Sequence, residues 1–459
     1  MRWSTSLLAA ILTATLAGCA TEVEQAPGSL PIPQQWRNQV GPAAPVEADW
    51  WRAFGDADLN RLVEMGLRNN LDILTARSRV DQYRAELRAA QGDNYPTLDA
   101  GVAASHARAL SSVTGQPYEY AVFQGLLQAN YDVDLWGARG SSIDAAKATL
   151  AAQQAAATAA ELTVASSVAS GYMTLVSLDE QLRVTQATLA SRENSLKLAQ
   201  RQYETGYTSK LEWVQSESEY QTAKAQIPVL QHQIAQQENA LSILVGMNPR
   251  EIARQSQFEH VAPQTLPSVL PSDLLRRRPD IVQAERLLLA ADSSLASSRA
   301  RLLPSLNLTA TGTLQSSVLH QLVDNPFRLW SIGGSVLAPL LNREALTAQV
   351  DVSMASRNQA LYGYEKVVRT AFSEVNNDLD AIDRYQQQLT ELQKQEQVVG
   401  EALRIARNRY QNGYASYLDE LDAQRTLFTT QLNVVQVKNN LLLAQIDLYR
   451  ALGGGWEIK

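Results

Sequence analysis

The chain has 459 residues, of which 45% are hydrophobic and 19% are charged, and its formal net charge is −7 at neutral pH. This length suffices for several domain-sized units, and the acidic balance argues against a surface that binds nucleic acid. Cys19 is the only cysteine, which excludes a disulfide within the chain.

The first residues predict an export signal. Arg2 supplies a positive charge, Leu7 to Leu16 is a short apolar stretch, and Ala17-Gly18-Cys19 closes it with small residues. An apolar stretch of this length is too short to stay in a membrane as a spanning helix and is typical of a cleaved signal peptide. We therefore expect residues 1–18 to be removed.

The cysteine predicts a lipid anchor. Leu16-Ala17-Gly18-Cys19 is similar to the bacterial lipobox, in which the cysteine sulfur receives a diacylglycerol; an ordinary signal with an incidental cysteine is the alternative. Ala20 follows, where an aspartate often signals retention in the inner membrane, so we expect the outer membrane, with the chain extending into the periplasm. Residues 19–57 are predicted to be an extended, lipid-anchored segment. No later stretch is apolar enough for a transmembrane helix, so the remaining means of membrane crossing is β-strands.

The sequence contains an internal repeat. Tyr203-Glu204-Thr205-Gly206-Tyr207 recurs as Tyr410-Gln411-Asn412-Gly413-Tyr414 at an offset of 207 residues, and Pro96-Thr97-Leu98 recurs as Pro304-Ser305-Leu306 at 208. Self-similarity at a fixed offset is the signature of a repeat architecture. The two repeats and the tail are assigned to residues 58–265, 266–453 and 454–459.

Each repeat is expected to contain a long helical hairpin, at about residues 138–246 and 343–452. Between Gly140 and Tyr203 there is no proline, so a helix of about 95 Å fits at 1.5 Å per residue. Apolar residues recur at every seventh position, which indicates a left-handed coiled coil. The outgoing stripes are Val168, Leu175, Leu182, Leu189, Leu196 and Tyr203, and Val375, Ile382, Leu389, Glu396, Leu403 and Tyr410, with one break at Glu396. The return stripes are Trp213, Tyr220, Ile227, Ile234 and Leu241, and Glu420, Leu427, Val434, Leu441 and Leu448. Pro228 is expected to bend the first return helix.

Between the helical blocks the apolar period falls from seven to two. Alternation is clearest at residues 128–135 and 306–315, and strands are expected within about 97–136 and 305–339. Strands of this length fit a tilted membrane crossing, although a small soluble sheet is the alternative. Four strands leave open edges that lipid cannot satisfy, so copies must combine. Two copies give eight strands and three give twelve, and a pore favours three or more.

Several short motifs point to one family. They are Tyr203-x-x-Gly206, Tyr410-x-x-Gly413, Asp134-Leu135-Trp136-Gly137-x-Arg139, Leu274 to Asp280 (Leu-Leu-Arg-Arg-Arg-Pro-Asp) and Leu421-Asp422-Ala423. With them, nearly the whole mature chain resembles the TolC-like outer-membrane efflux family. Because of Cys19, the closer match is the lipoprotein branch, which serves resistance-nodulation-division (RND) pumps.

The resemblance implies a fold and an assembly. The fold is mainly α, with two tandem repeats of long coiled-coil hairpins that form an α-barrel. A small membrane β part has four strands per chain, which contribute to a trimeric, twelve-stranded β-barrel. The implied partners are two further copies of the chain, a periplasmic adaptor (membrane fusion) protein, an inner-membrane RND pump and outer-membrane lipid.

The resemblance also assigns roles to the hairpin turns. Gly206, Tyr207, Gly413 and Tyr414 would form the periplasmic tip that contacts the adaptor. Both glycines suit a left-handed residue that ends a helix. The candidate gate residues are Asp419, Asp422, Tyr410, Glu212 and Tyr203.

Two aspartates are the central candidates for the gate. Asp419 and Asp422 are three residues apart and therefore lie on one helix face. Repeated around a trimer, they would form two acidic rings that attract cations. The tyrosine that matches Tyr410 helps to keep the tip of family members closed.

Helix capping offers a simpler explanation for two of the acids. Ser209 and Ser416 precede Glu212 and Asp419 with the spacing of a capping box, so these acids could merely start the return helices. Ala415 stands where some family members carry an arginine bonded across the gate. The sequence therefore does not identify which side chains would keep the gate closed.

Other function classes fit the sequence less well. The four histidines, at positions 106, 232, 260 and 320, are scattered, and there is no phosphate-binding loop or nucleophile elbow. Gly453-Gly454-Gly455 suits a flexible tail. We expect no enzymatic activity, no cofactor and no bound metal. The expected function is a passive outer-membrane duct that exports small molecules, such as drugs or other toxic compounds, for an inner-membrane pump. A structural or adaptor-type coiled-coil lipoprotein without a lumen is the alternative.

Overall fold

The computed structural model describes residues 32–38, 46–254, 258, 261, 270–324 and 328–455. Met1–Pro33 and Gln34–Lys459 form separate compact units. Of the first unit only residues 32 and 33 are described, and every element named below belongs to the second. Cys19 and the expected signal peptide lie outside the described residues.

The first repeat alternates short helices, strands and a long hairpin. Its elements in chain order are α1 (Ala57–Asn69), α2 (Leu71–Gly92), β1 (Thr97–Leu110), β2 (Pro117–Val133), α3 (Ala138–Glu204) and α4 (Lys210–Leu244). The outgoing helix α3 has 67 residues and the return helix α4 has 35. Helix α4 continues through Pro228 as one helix, and the expected bend there stays a prediction.

The second repeat has the same order. Its elements are α5 (Pro271–Arg277), α6 (Pro279–Ala300), β3 (Ser305–Ser316), β4 (Arg328–Leu337), α7 (Arg343–Gln411) and α8 (Tyr417–Ala451). Here the outgoing helix α7 has 69 residues and the return helix α8 has 35. At 1.5 Å per residue each outgoing helix is about 100 Å long. The predicted fold class, mainly helical with two long hairpins and four strands, is confirmed.

The core of the hairpins changes character along their length. On α3, Val168 and Leu175 are fully buried, whereas Leu189 and Leu196 of the same stripe are half-buried and Tyr203 is 36% exposed. The seven-residue spacing predicts a coiled-coil seam along this stripe. Towards the turn, however, polar and charged side chains take over the buried positions.

The strands form one antiparallel sheet in the order β1-β2-β3-β4. One row across the sheet is apolar and consists of Leu98, Ala129, Ala310 and Ile332. The adjacent row, on the opposite face, is polar and consists of Asp99, Gln128, Thr311 and Ser331. The predicted alternation is therefore confirmed, and among the described residues β1 and β4 each keep one edge without a partner strand.

The helices form a layer with two different edges. Helix α3 lies inside the layer, in contact with α2, α4, α6 and α8, while α7 contacts α6 and α8. Consequently α2 and α4 form one edge and α7 forms the other. None of the described helices carries an apolar stretch long enough to cross a lipid bilayer.

The C-terminal glycines are packed, which corrects the expectation that they form a flexible tail. Gly453, Gly454 and Gly455 have φ values of 89°, 63° and 71°, a region that L side chains rarely adopt. A Cβ atom on Gly454 would collide with the side chain of Leu162. The chain needs glycine here because the segment turns tightly against its neighbours.

Candidate gate at the hairpin tips

Each hairpin turn is built on a left-handed glycine. Gly206 and Gly413 both have a φ of 76°. The amide of the following tyrosine, Tyr207 or Tyr414, donates to a carbonyl five residues earlier, at 2.7 and 2.8 Å. This is the Schellman arrangement that ends a helix, so the glycines play the predicted structural role. The two tyrosines project into solvent, with 86% and 77% of their surface exposed.

The two return helices begin differently. In the first hairpin, the Glu212 amide donates to the Ser209 hydroxyl oxygen at 3.4 Å. In the second, the Ser416 side chain makes no cap bond, and the Asp419 amide donates to the Ser416 carbonyl oxygen at 3.3 Å. A serine side-chain cap therefore accompanies Glu212 but not Asp419.

The two repeat-related tyrosines have different surroundings. Tyr203 stacks on Trp213 of its own hairpin, with ring centroids 5.3 Å apart. Tyr410 is only 6% exposed and packs against Tyr417 at 5.5 Å. Its hydroxyl donates to the Gln202 side-chain oxygen at 2.7 Å. Since Gln202 lies on α3 and Tyr410 on α7, this bond joins the two hairpins.

Electrostatics keep the Tyr410 hydroxyl protonated. Burial raises its pKa, and the negative charges of Glu212 and Glu420 raise this pKa further. The hydroxyl therefore remains a hydrogen-bond donor to Gln202 at physiological pH. One carboxylate oxygen of Glu212 is buried and has no hydrogen-bond partner among the described residues. The structure thus brings Tyr410 and Glu212 together, while Tyr203 packs against Trp213, next to Glu212 in sequence.

The first turns of α8 carry acids on two faces. Asp419 and Asp422 are exposed, as a role towards solvent or another copy requires. Glu420, between them in sequence, is 2% exposed and points into the protein. The two predicted gate aspartates therefore share one exposed face, while the third acid belongs to the interior.

Glu219 on α4 is the centre of a buried ionic cluster. Its carboxylate accepts from Arg192 of α3 at 3.0 Å and from Arg425 of α8 at 2.5 Å. Arg192 also donates to the Glu219 carbonyl oxygen at 2.8 Å, and its guanidinium lies 5.4 Å from the ring centroid of Phe428. Burial lowers the pKa of Arg192, while the charge of Glu219 opposes this change. We call Arg192, Glu219 and Arg425 the Glu219 cluster.

Glu420 is the centre of a second polar group. Its carboxylate accepts from Arg407 of α7 at 3.1 Å and from Gln424 at 2.7 Å. Arg407 also donates to the Ser191 hydroxyl of α3 at 2.8 Å, and Gln424 donates to Ser195 at 3.2 Å. Both groups link the hairpins through charged side chains, close to the turns.

These buried charges were not predicted as a site. One signal was available, since Glu420 occupies the stripe position that Trp213 holds in the first repeat. A charge at a core position predicts a buried partner. Arg192 and Glu219 gave no comparable signal, because only the packing of α8 on α3 brings them together with Arg425.

The described residues do not form a metal site. In the part of the chain that the structure describes, no three His, Cys, Asp or Glu side chains are placed to share an ion. A cavity of about 800 Å³ lies where the sheet meets the helices and is lined by Asp132, Asp134, Arg139 and Arg301, among others. Its lining thus carries both acidic and basic side chains.

Comparison with known proteins agrees with this architecture. A family model described as "Outer membrane efflux protein" matches residues 62–247 and again residues 270–454. The chain is 31% identical to the pyoverdine export outer membrane protein OpmQ of Pseudomonas aeruginosa, over 98% of this chain and 97% of OpmQ. It is 30% identical to the probable outer membrane lipoprotein SilC of Salmonella typhimurium, over 96% of each chain. The solved structure of CusC is similar with a TM-score of 0.86 and 28% identity, and the match covers 95% of this chain and 100% of CusC. Because the family model covers both repeats, the chain belongs to the outer membrane efflux protein family.

Proposed function

We propose that this chain is the outer-membrane channel of a tripartite efflux system, a passive duct of three copies that exports small molecules. The observation that carries the proposal is the two-faced sheet with two unpaired edges. Such a sheet is not viable alone in lipid, because lipid offers no partners for the backbone groups at its edges. Pairing of β4 in one copy with β1 in the next satisfies both edges and closes a barrel.

The two faces of the sheet fit this barrel. The apolar row from Leu98 to Ile332 would face lipid, and the polar row from Asp99 to Ser331 would face water inside. Alternation of this kind is the pattern of transmembrane barrels. Three copies provide twelve strands, and more than eight are needed for an aqueous lumen.

The helix layer supports the same closure. Both of its edges carry large apolar side chains that are at least 43% exposed. On the α2 and α4 edge these are Leu71, Leu74, Leu211, Val214, Val229 and Ile243; on the α7 edge they are Val352, Tyr362, Val398 and Ile405. Two unlike edges that bury each other make a head-to-tail contact, which closes into a ring when the rotation permits.

The tips suit a protein partner. Tyr207 and Tyr414 are joined there by Leu211 and Leu418, which are 64% and 59% exposed. Exposed apolar side chains grouped at one end mark interaction sites. We infer that a periplasmic adaptor binds at Gly206, Tyr207, Gly413 and Tyr414 and that an inner-membrane RND pump supplies the cargo and the energy.

The same tips would hold the gate. Asp419 and Asp422 of three copies would form acidic rings around the lumen. Tyr410 and Glu212 would hold the second hairpin against the first, and Tyr203 would stiffen the first turn through its stack on Trp213. The exposed aspartates and the inter-hairpin bond of Tyr410 support this assignment.

Lipid attachment at Cys19 would place the N-terminus at the outer membrane. The lipobox-like ending supports this, as does the lipoprotein name of SilC. A Cys19→Ser variant should lose incorporation of radiolabelled palmitate and leave the outer-membrane fraction in part. Equal labelling of the variant and the wild type would refute the anchor.

Conductance tests the duct itself. In detergent, the purified mature protein should have the molar mass of a trimer by light scattering. In planar bilayers it should produce single-channel conductance steps. A folded trimer that never conducts would refute the duct and favour a structural lipoprotein without a lumen. A folded monomer would remove the barrel as well.

A further inference from the structure

We infer that Glu219 is a positioning residue that ties the return helices of the two hairpins to each other, and that Arg425 is its releasable partner. The inference rests on the proposed channel, since a tip that opens and closes gives this contact its use. It concerns the tie between α4 and α8, with Asp422 as the charge beside the released Arg425, and it does not involve Tyr410.

The Glu219 cluster joins two helices that otherwise barely meet. Helix α8 packs along α3, but its packing against α4 is sparse. The bond from Arg425 to Glu219 is a direct tie between these return helices, at 2.5 Å. An ionic contact at a sparse interface has a large influence on the separation of the two helices.

The two arginines of the cluster are not equivalent. The Arg192 side chain is 4% exposed and bonds both the carboxylate and the carbonyl oxygen of Glu219. The Arg425 side chain is 56% exposed and bonds the carboxylate alone. Arg192 is therefore a fixed partner, whereas Arg425 can leave with α8.

Release of Arg425 leaves no buried charge of the cluster without a partner. Glu219, whose side chain is 8% exposed, keeps its bond to Arg192, and a buried carboxylate with a charged partner avoids the penalty of isolation. Arg425 moves into water beside Asp422, three residues earlier on the same face of α8. The hydrogen bond to Glu219 raises the pKa of Arg425 most, and the negative charge of Asp422 raises it further. Both end states are thus neutralised, as a reversible contact requires.

Single-channel recording tests the inference. Arg425→Gln and Glu219→Gln should each raise the open-to-closed ratio about tenfold, which corresponds to about 1.4 kcal/mol. The double variant should open no further than Glu219→Gln alone, because Arg425 has no carboxylate to bind once Glu219 is replaced. Added salt should open the wild type more than Arg425→Gln, since the exposed partner is screened.

The exposed pair of Asp144 and Lys147 on α3 provides the matched control. These side chains are 2.9 Å apart, 62% and 55% exposed, and on one helix, so Asp144→Asn should leave the open-to-closed ratio unchanged. If the wild type conducts and Arg425→Gln has the same open-to-closed ratio and the same response to salt, the inference is wrong. The proposal that the protein is a channel would then still stand. A wild type without conductance would overturn the channel itself. If Glu219→Gln fails to fold, Arg425→Gln still decides, because it leaves the bond between Arg192 and Glu219 intact.

Discussion

Asn70 and Arg278 occupy equivalent places in the two repeats and make equivalent bonds. The Asn70 side-chain amide donates to the Leu244 carbonyl oxygen at 2.9 Å, and the Arg278 guanidinium donates to the Ala451 carbonyl oxygen at 3.1 Å. Each bond fastens the last turn of a return helix to the junction of two short helices. The two long hairpins are therefore set in place by the same device, with an amide in one repeat and a charge in the other.

The charge makes the second junction more sensitive to mutation. Arg278 also bonds Asp280 at 2.7 Å and Glu374 at 2.6 Å, so Arg278→Met leaves two carboxylates unpaired and should cost about 2–4 kcal/mol. Asn70→Ala removes a helix cap and one bond, at about 1–2 kcal/mol. Thermal melting in detergent would rank them, with Arg84→Met, which alters an exposed pair, as control. An Arg278→Met variant that melts with the control would contradict the assignment.

Glycine should be required at the junctions and merely preferred at the tips. Gly246 and Gly453 have φ values of 74° and 89°, and a Cβ atom on either would collide with a backbone carbonyl. Gly206 and Gly413 have a φ of 76° but open space around them. Alanine at the tips should cost about 1 kcal/mol, and alanine at the junctions should cost more or prevent folding. Similar melting temperatures for all four variants would show that the close approach at the junctions does not matter.

Asp378 should make stability depend on pH. Burial and the neighbouring charge of Asp447 raise its pKa to about 7, whereas the pKa of an aspartate in an unfolded chain is about 4. The folded state therefore holds a proton that the unfolded state has lost. The contribution of Asp378 to stability is complete below about pH 4 and is lost as the pH rises through the pKa of this residue in the folded state.

Asp378→Asn should remove that dependence. Its free energy of unfolding at pH 8 should exceed that of the wild type by roughly 2–4 kcal/mol, and the two values should converge at about pH 4. Asp383→Asn, at a side chain that is 52% exposed, serves as the control and should follow the wild type. Parallel pH profiles of Asp378→Asn and the wild type would contradict the raised pKa.

Neutralising the acidic face of α8 should widen the passage for ions. Asp419→Ala with Asp422→Ala should raise single-channel conductance and weaken block by multivalent cations, because like charges in a constriction attract cations and resist close approach. Glu391→Ala removes an acid that is 73% exposed on α7 and should change neither quantity. Unchanged conductance in the folded double variant would mean that these acids only begin the helix.

A charge on the α7 edge should prevent assembly. Val398 is 70% exposed, and Val398→Asp would place a carboxylate where we expect the α4 edge of the next copy. Burial of an unpaired carboxylate is strongly unfavourable, so light scattering should show loss of trimer. Tyr207→Asp, at the tip, should stay trimeric but bind the adaptor less well. A trimer of normal stability for Val398→Asp would move the interface elsewhere.

Much of this architecture follows from local patterns. The seven-residue stripes, the change to a period of two and the repeated Gly-Tyr turns identify the hairpins, the strands and the tips, because helix and strand periods and left-handed glycines are properties of the chain itself. The pairing of one apolar and one polar row follows from the same alternation. Even the need for more than one copy follows, since four strands cannot satisfy their own edges in lipid.

Other features depended on which helix packs on which. The Glu219 cluster unites residues from α3, α4 and α8, and only their three-dimensional arrangement distinguishes these charges from the many exposed ones on the same helices. The packed glycines at 453–455 were mistaken for a loose tail for the same reason, since a run of glycines has no side chains to reveal a close neighbour. Sequence periodicity reports which face of a helix is buried, but the partner that covers it is decided by tertiary contacts between segments more than 200 residues apart.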